Sequence, residues 1–158
     1  MAYSYTFQEY DEKKMARAVG VSLPISPKQS TEICSHLKHR STTQAKAILE
    51  RVLEQTAAIP FKRYNQDVAH KPGMAAGRYP RNASREIMKL IESVEANAQN
   101  KGLGSDLYIT HMNAHRAPAG RRAGRTPGEA KRAHVEIIVE EKKIEKKERT
   151  ARKETKKQ

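Results

Sequence analysis

Tryptophan is absent from this chain of 158 residues, phenylalanine occurs twice and cysteine once. With so few large aromatics, the core has to be small and mainly aliphatic. The lone Cys34 excludes an intrachain disulfide and fits a reducing cytosol. No apolar run approaches the roughly 20 residues of a membrane-spanning helix. The opening Met1-Ala2-Tyr3-Ser4-Tyr5-Thr6 lacks the basic and apolar regions of a secretory signal, so a cytoplasmic protein with no membrane partner is expected. Acid is the scarcest commodity relative to its counterpart: 18 Asp and Glu face 31 Lys and Arg, a formal net charge of +13. Such an excess says little about fold and much about partners, because it attracts phosphate backbones or other polyanions.

What is present sorts into a scaffold and three charge clusters. Residues 1–18 read as an N-terminal extension in which Tyr3, Tyr5 and Phe7 alternate. Val19, Val21, Leu23 and Ile25 alternate as on a half-buried strand. Ser26-Pro27-Lys28-Gln29 then predicts a helix start, with Ser26 as cap, Pro27 at the first helical position and Gln29 closing a capping box. Ile33, Cys34 and Leu37 give that helix a narrow apolar stripe. Residues 41–43 offer caps for a second helix, whose core side is Ala45, Ile48, Leu49, Val52 and Leu53 and which Pro60 should end. Residues 61–81 are too rich in breakers to predict regular structure. A third helix from about Asn82 buries Ile87, Leu90, Ile91, Val94 and Ala98 and stops at Lys101-Gly102. Residues 107–114 and 134–140 read as strands, the second with Val135, Ile137 and Val139 on one face. The pattern implies an α+β domain over 19–141: three helices on a small three-stranded antiparallel sheet, with a long protruding hairpin at 107–140 and a charged tail at 142–158.

The hairpin loop, residues 115–133, is the most informative stretch. It carries Arg116, Arg121, Arg122, Arg125, Lys131 and Arg132 against the single acid Glu129, and no large apolar residue. At about 3.3 Å per strand residue, each arm could reach roughly 30 Å beyond the body. A self-repelling loop of this kind needs a polyanion to neutralise it. Residues 61–85 form the second cluster, with Lys62, Arg63, Lys71, Arg78, Arg81 and Arg85 against Asp67. The tail is the third, nine basic residues against four acidic ones from Glu141 onward. Charge therefore collects in extended segments, and no helix shows an outward basic stripe of the kind a DNA reader lays in a major groove. Arg–Tyr mixtures such as Arg63-Tyr64-Asn65 and Arg78-Tyr79-Pro80-Arg81 suit structured RNA, bound through phosphate contacts and stacking on unpaired bases.

Catalytic and metal chemistry is poorly served. Cys34, His36 and His39 share one helix, but no second ligand pair has zinc spacing. His111, His115 and His134 could in principle cleave RNA by acid–base catalysis, against the plainer reading of imidazoles bonded to RNA or neighbouring backbone. No phosphate loop, nucleophile elbow or carboxylate pair occurs. The expectation is a non-enzymatic protein with no cofactor and no metal.

An ordered set of short motifs then carries a resemblance: Ile25-Ser26-Pro27-Lys28, Ile59-Pro60-Phe61-Lys62-Arg63-Tyr64-Asn65, Gly77-Arg78-Tyr79-Pro80, residues 92–103, and His134-Val135-Glu136-Ile137. From about Val19 to Glu141 the chain resembles the large-subunit ribosomal protein family called L-twenty-two, in its archaeal and eukaryotic branch. The resemblance implies three helices on a three-stranded sheet with a protruding hairpin. It also implies a protein that binds large-subunit ribosomal RNA and lines the exit tunnel for the nascent polypeptide, beside the tunnel protein L-four. Carried over, Arg121, Arg122 and Arg125 would stand at or near the hairpin tip. Lys28, Lys62, Arg63, Tyr64, Asn65, Lys71, Arg78, Tyr79, Arg81, Arg85, His115, Arg116, Lys131 and Arg132 would meet RNA around the body and hairpin base. The hairpin is several residues shorter than is usual in the family. Two rival readings are a free nucleic-acid chaperone, which charge alone permits, and a ribonuclease.

Overall fold

The computed structural model describes residues 3–124 and 128–141; Arg125 and the tail 142–158 lie outside the described residues. In chain order the elements are β1 (Met15–Leu23), α1 (Pro27–Leu37), α2 (Thr42–Leu53), β2 (Ile59–Pro60), β3 (His70–Lys71), β4 (Met74–Arg78) and α3 (Arg81–Asn100). The C-terminal part adds β5 (Leu107–Arg116), β6 (Gly120–Arg122), β7 (Gly128–Ala130) and β8 (Ala133–Glu141). Helices packed on an antiparallel sheet of order β1-β8-β5 make the α+β architecture that the residue pattern implies.

α3 is the clearest case of sequence dictating structure. Its expected stripe, Ile87, Leu90, Ile91, Val94 and Ala98, is buried in full. The helix ends in a Schellman motif: Leu103 N–H donates to the Ala98 carbonyl at 3.0 Å and Gly102 N–H to that of Gln99 at 2.9 Å. Gly102 takes the required left-handed conformation, φ +74°. α3 lies against β1, where the expected face is reversed at Val19 and Val21, while beyond a register shift Leu23 packs against the core and Ile25 is buried. β1 opens at Met15, four residues before the predicted start, and buries Ala16, Ala18 and Gly20. Val19 pairs with Glu136 on the other face and Val21 is 56% exposed. The residues on the buried face are small, and at Gly20 a Cβ would sit 2.6 Å from Leu23 Cδ1 at the end of the same strand. Apolarity alone indicates the wrong side for Val19 and Val21 only.

Three further expectations need correction. Ser26 is the N-cap of α1, but its side chain makes no capping bond; its carbonyl accepts instead from Ser30 N–H and Oγ, so the Gln29 capping box is not formed. α2 is capped as expected, Ser41 Oγ accepting Gln44 N–H at 3.2 Å, yet it ends at Leu53 rather than at Pro60, with Gln55 in a left-handed turn at φ 63°. Residues 61–81 are not irregular throughout: β4 pairs with both β2 and β3 in a second small antiparallel sheet.

β5 and β8 pair from Leu107↔Glu141 to Arg116↔Ala133, and pairing resumes at Gly120↔Ala130, Arg121↔Glu129 and Arg122↔Gly128. A bulge between Ile109 and His111 re-phases β5, so Ile109, Met112 and Ala114 face the helices while His111, Asn113 and His115 face away. The edge of β5 is covered by the α1–α2 connection: His39 N–H donates to the Ile109 carbonyl and Ile109 N–H to that of Arg40, both at 2.9 Å.

The outer sheet face carries the aromatic N-terminal segment. Tyr3 lies against His134 and Phe7 against His111, with ring centroids 6.1 and 5.3 Å apart. The Arg17 guanidinium sits between Tyr5 and Tyr10, 4.7 and 4.4 Å from their ring centroids.

Candidate nucleic-acid interface

The site begins with a buried carboxylate. Glu32, 3% exposed on α1, accepts the backbone N–H groups of Lys62, Arg63 and Tyr64 at 3.1, 2.8 and 2.8 Å. Three consecutive amides on one charge fix the path of the loop after β2. One turn earlier on α1, Lys28 places Nζ 5.6 Å from the Tyr64 ring centroid, and the Arg63 guanidinium lies 5.5 Å from the same ring. Charge from two distant stretches of sequence is thereby gathered around one aromatic plane.

That group forms a wall of a cleft of about 620 Å³ whose other wall is the hairpin base. Lys28, Arg63, Tyr64, His115, Arg116, Lys131 and Arg132, all predicted separately, line this one concavity. Among the described residues its sole acid is Glu129, which meets Arg116 at 2.6 Å. Both partners are exposed, so the pair contributes little and an incoming phosphate can replace the carboxylate. Arg132 is steadied by the Ser22 carbonyl at 3.3 Å. The hairpin base is better packed than its composition suggested, since Ala117 is buried and donates its N–H to the Arg132 carbonyl at 3.1 Å.

The other predicted residues lie elsewhere. Lys62 turns to a second cleft beside the end of α1. Lys71 Nζ lies 5.3 Å from the Tyr79 ring centroid and Arg78 Cζ lies 5.9 Å from that of Phe61, on and beside the small sheet. Arg81 and Arg85 are exposed one turn apart on α3, and Asn65 is exposed in the loop. Arg121 and Arg122 are exposed on β6, and Arg125 lies outside the described residues.

The histidines of the two long strands are engaged internally. Glu136, fully buried in β8, meets His111 Nε2 at 2.9 Å and His115 Nε2 at 3.6 Å, and accepts both the hydroxyl and the N–H of Thr6. Burial pushes the Glu136 carboxyl up, but the Thr6 hydroxyl and His111 outweigh it and hold the group below its ordinary value. His134 Nδ1 accepts the Ser22 N–H at 3.2 Å. Cys34 faces the core, where burial pushes its thiol far up, away from the nucleophilic range. Among the described residues no group of three or more His, Cys, Asp or Glu could hold a metal, and no helix is long and apolar enough to cross a membrane.

Sequence reasoning missed Glu32, Glu136 and Thr6, because an isolated carboxylate or threonine gives no local signal of the distant groups it will meet. It also missed His36, His39 and Arg40 as a basic group beside Lys62.

Comparison with known proteins agrees with the architecture. The family model described as ribosomal protein L22p/L17e matches residues 18–140. The chain is 39% identical over 150 residues to the large ribosomal subunit protein uL22 of Methanopyrus kandleri, covering 88% of this chain and 94% of that one. It is 40% identical over 152 residues to its counterpart in Ignicoccus hospitalis, covering 88% and 96%. Against that of Methanoculleus marisnigri the identity is 44% over 139 residues, covering 82% and 91%.

Proposed function

The chain belongs to the ribosomal protein L22p/L17e family, and on that premise we propose that it is a structural constituent of the cytoplasmic large ribosomal subunit, binding large-subunit ribosomal RNA and supporting its assembly. Membership of this family agrees with the reading of a non-enzymatic protein. The observation that carries the RNA reading is the cleft at the hairpin base. Five Lys or Arg, Tyr64 and His115 converge there from four segments of the chain, against one solvent-exposed acid. Phosphates fit such a surface through Arg forks, and unpaired bases fit it by stacking.

The finer placement rests on the resemblance of the motifs. The body binds the ribosomal RNA near the tunnel mouth, and the hairpin runs inward beside the tunnel protein L-four, its Arg121, Arg122 and Arg125 lining the path of the nascent polypeptide. The exposure of Arg121 and Arg122 on paired β6 supports this use, because their guanidinium groups remain available to a partner.

Gradient sedimentation of a lysate in high-magnesium buffer tests the reading. Co-migration with large subunits is expected, and a position at the top of the gradient would favour a free chaperone. With purified protein and large-subunit RNA, raising salt from 50 to 200 mM should weaken binding by on the order of 10³ to 10⁵ if about six to ten phosphates are neutralised. The RNA should remain intact, since His111, His115 and His134 are all bonded within the protein.

A further inference from the structure

A second concavity, about 370 Å³, lies where α1 ends and α2 begins, and apart from Glu32 and Lys62 its lining residues take no part in the interface described above. His36, Lys38, His39, Arg40, Gln44 and Lys62 line it. We propose that this cleft is a separate phosphodiester-binding site that grips the backbone of the same ribosomal RNA. The proposal rests on the RNA-binding reading and adds to it a second point of attachment.

The charge balance of the cleft is one-sided for an identifiable reason. Among the described residues its only acid is Glu32, whose oxygens are occupied by the amides of residues 62–64. That leaves Lys38, Arg40 and Lys62 with no carboxylate partner among the described residues, beside two imidazoles. The carbonyl end of α1 would repel an anion, but Arg40 Nε covers the His36 carbonyl at 2.9 Å. Gln44 belongs to the first turn of α2, whose dipole presents partial positive charge to the same space. Pro60 and Ser35 complete the lining without adding charge.

His36 responds to this field. Its ring makes no hydrogen bond among the described residues, and it is held below the ordinary imidazole value by burial first, then by Arg40 and Lys62. The groups around it are Glu32 on its own helix, Lys38, His39 and Arg40 in the α1–α2 connection, Gln44 on α2, and Lys62 from the loop after β2. All the charged ones except Glu32 are cationic, or become so on protonation. A phosphate entering the cleft offsets the cations and favours imidazolium, so binding takes up a proton and tightens as pH falls from 7.5 to 6.

The test measures binding of the full chain to domain-length transcripts of its own organism's large-subunit ribosomal RNA, with excess unrelated RNA as competitor. Arg40→Gln and Lys38→Gln should each weaken binding about tenfold and lower the salt-dependence slope by about 1. His36→Gln should weaken the pH response, and thermal melts establish that each variant is folded. Should folded variants at all three positions match the wild type while Lys131→Gln and Arg132→Gln bind weakly, the second site is overturned and the RNA-binding reading stands. Absence of wild-type binding to any transcript would overturn both.

Discussion

The carboxylate of Glu32 accepts the backbone amide of Tyr64 at 2.8 Å across an interval of 32 residues. Lys28, one turn away on the same helix, lies near the ring of that tyrosine. A single helix thus sets both the loop and the cation that works with it. Removing the carboxylate strips a charged acceptor from three amides. We predict that Glu32→Gln costs about 1–3 kcal/mol of stability, read by urea denaturation. It should also weaken RNA binding, because Arg63 and Tyr64 lose their fixed position. A variant with unchanged stability would show that the loop is held by other contacts.

Stability should respond to acid through Glu136. Its folded-state value lies below the unfolded one, so its contribution is fully present above the ordinary carboxylate range. That contribution disappears as pH falls through the depressed folded value. Denaturant melts between pH 6 and pH 3 should show the decline, and Glu136→Gln should flatten it. Thr6→Val should cost about 1–2 kcal/mol, through the loss of one hydrogen bond to a buried charge.

Charge reversal at Arg121 and Arg122 should leave the fold within about 0.5 kcal/mol of wild type, since both side chains are exposed. Large-subunit assembly or peptide passage should suffer, seen as a smaller large-subunit peak in gradients or slower translation. Normal assembly with normal translation would remove the role proposed for the hairpin.

Gly102→Ala should destabilise by about 1 kcal/mol, seen as a lower melting temperature, although nothing lies within 4 Å of an added Cβ. The cost comes from the left-handed backbone that the end of α3 requires. An unchanged melting temperature would mean that the turn relaxes freely.

Much of the scaffold was legible because its signals are periodic and local. α3 shows this best, with five apolar positions recurring at helical spacing and a glycine at its end. The strands flanking the basic loop were legible for the same reason. The first half of β1 was not legible, because its buried face carries Ala16, Ala18 and Gly20, which give no apolar alternation, whereas Leu23 and Ile25 face the core as expected. The small sheet around β4 escaped notice because its strands are two to five residues long, too short for a period to register. At the interface, the basic residue types were visible, but not their convergence. Lys28 meets Tyr64 because Glu32, on the same helix, holds residues 62–64, a role that exists in three dimensions alone.

The order of strands in the main sheet has a consequence for timing. β8, the last described strand to be synthesised, is the middle one, and β1 is tied to it through Ala18↔Ile137 with no other strand as neighbour among the described residues. On an elongating chain β1 and β5 both wait as open edges until residues 133–141 have emerged. The main sheet can therefore close only after residues 133–141 have been made, which favours a chaperone or early RNA contact during that interval.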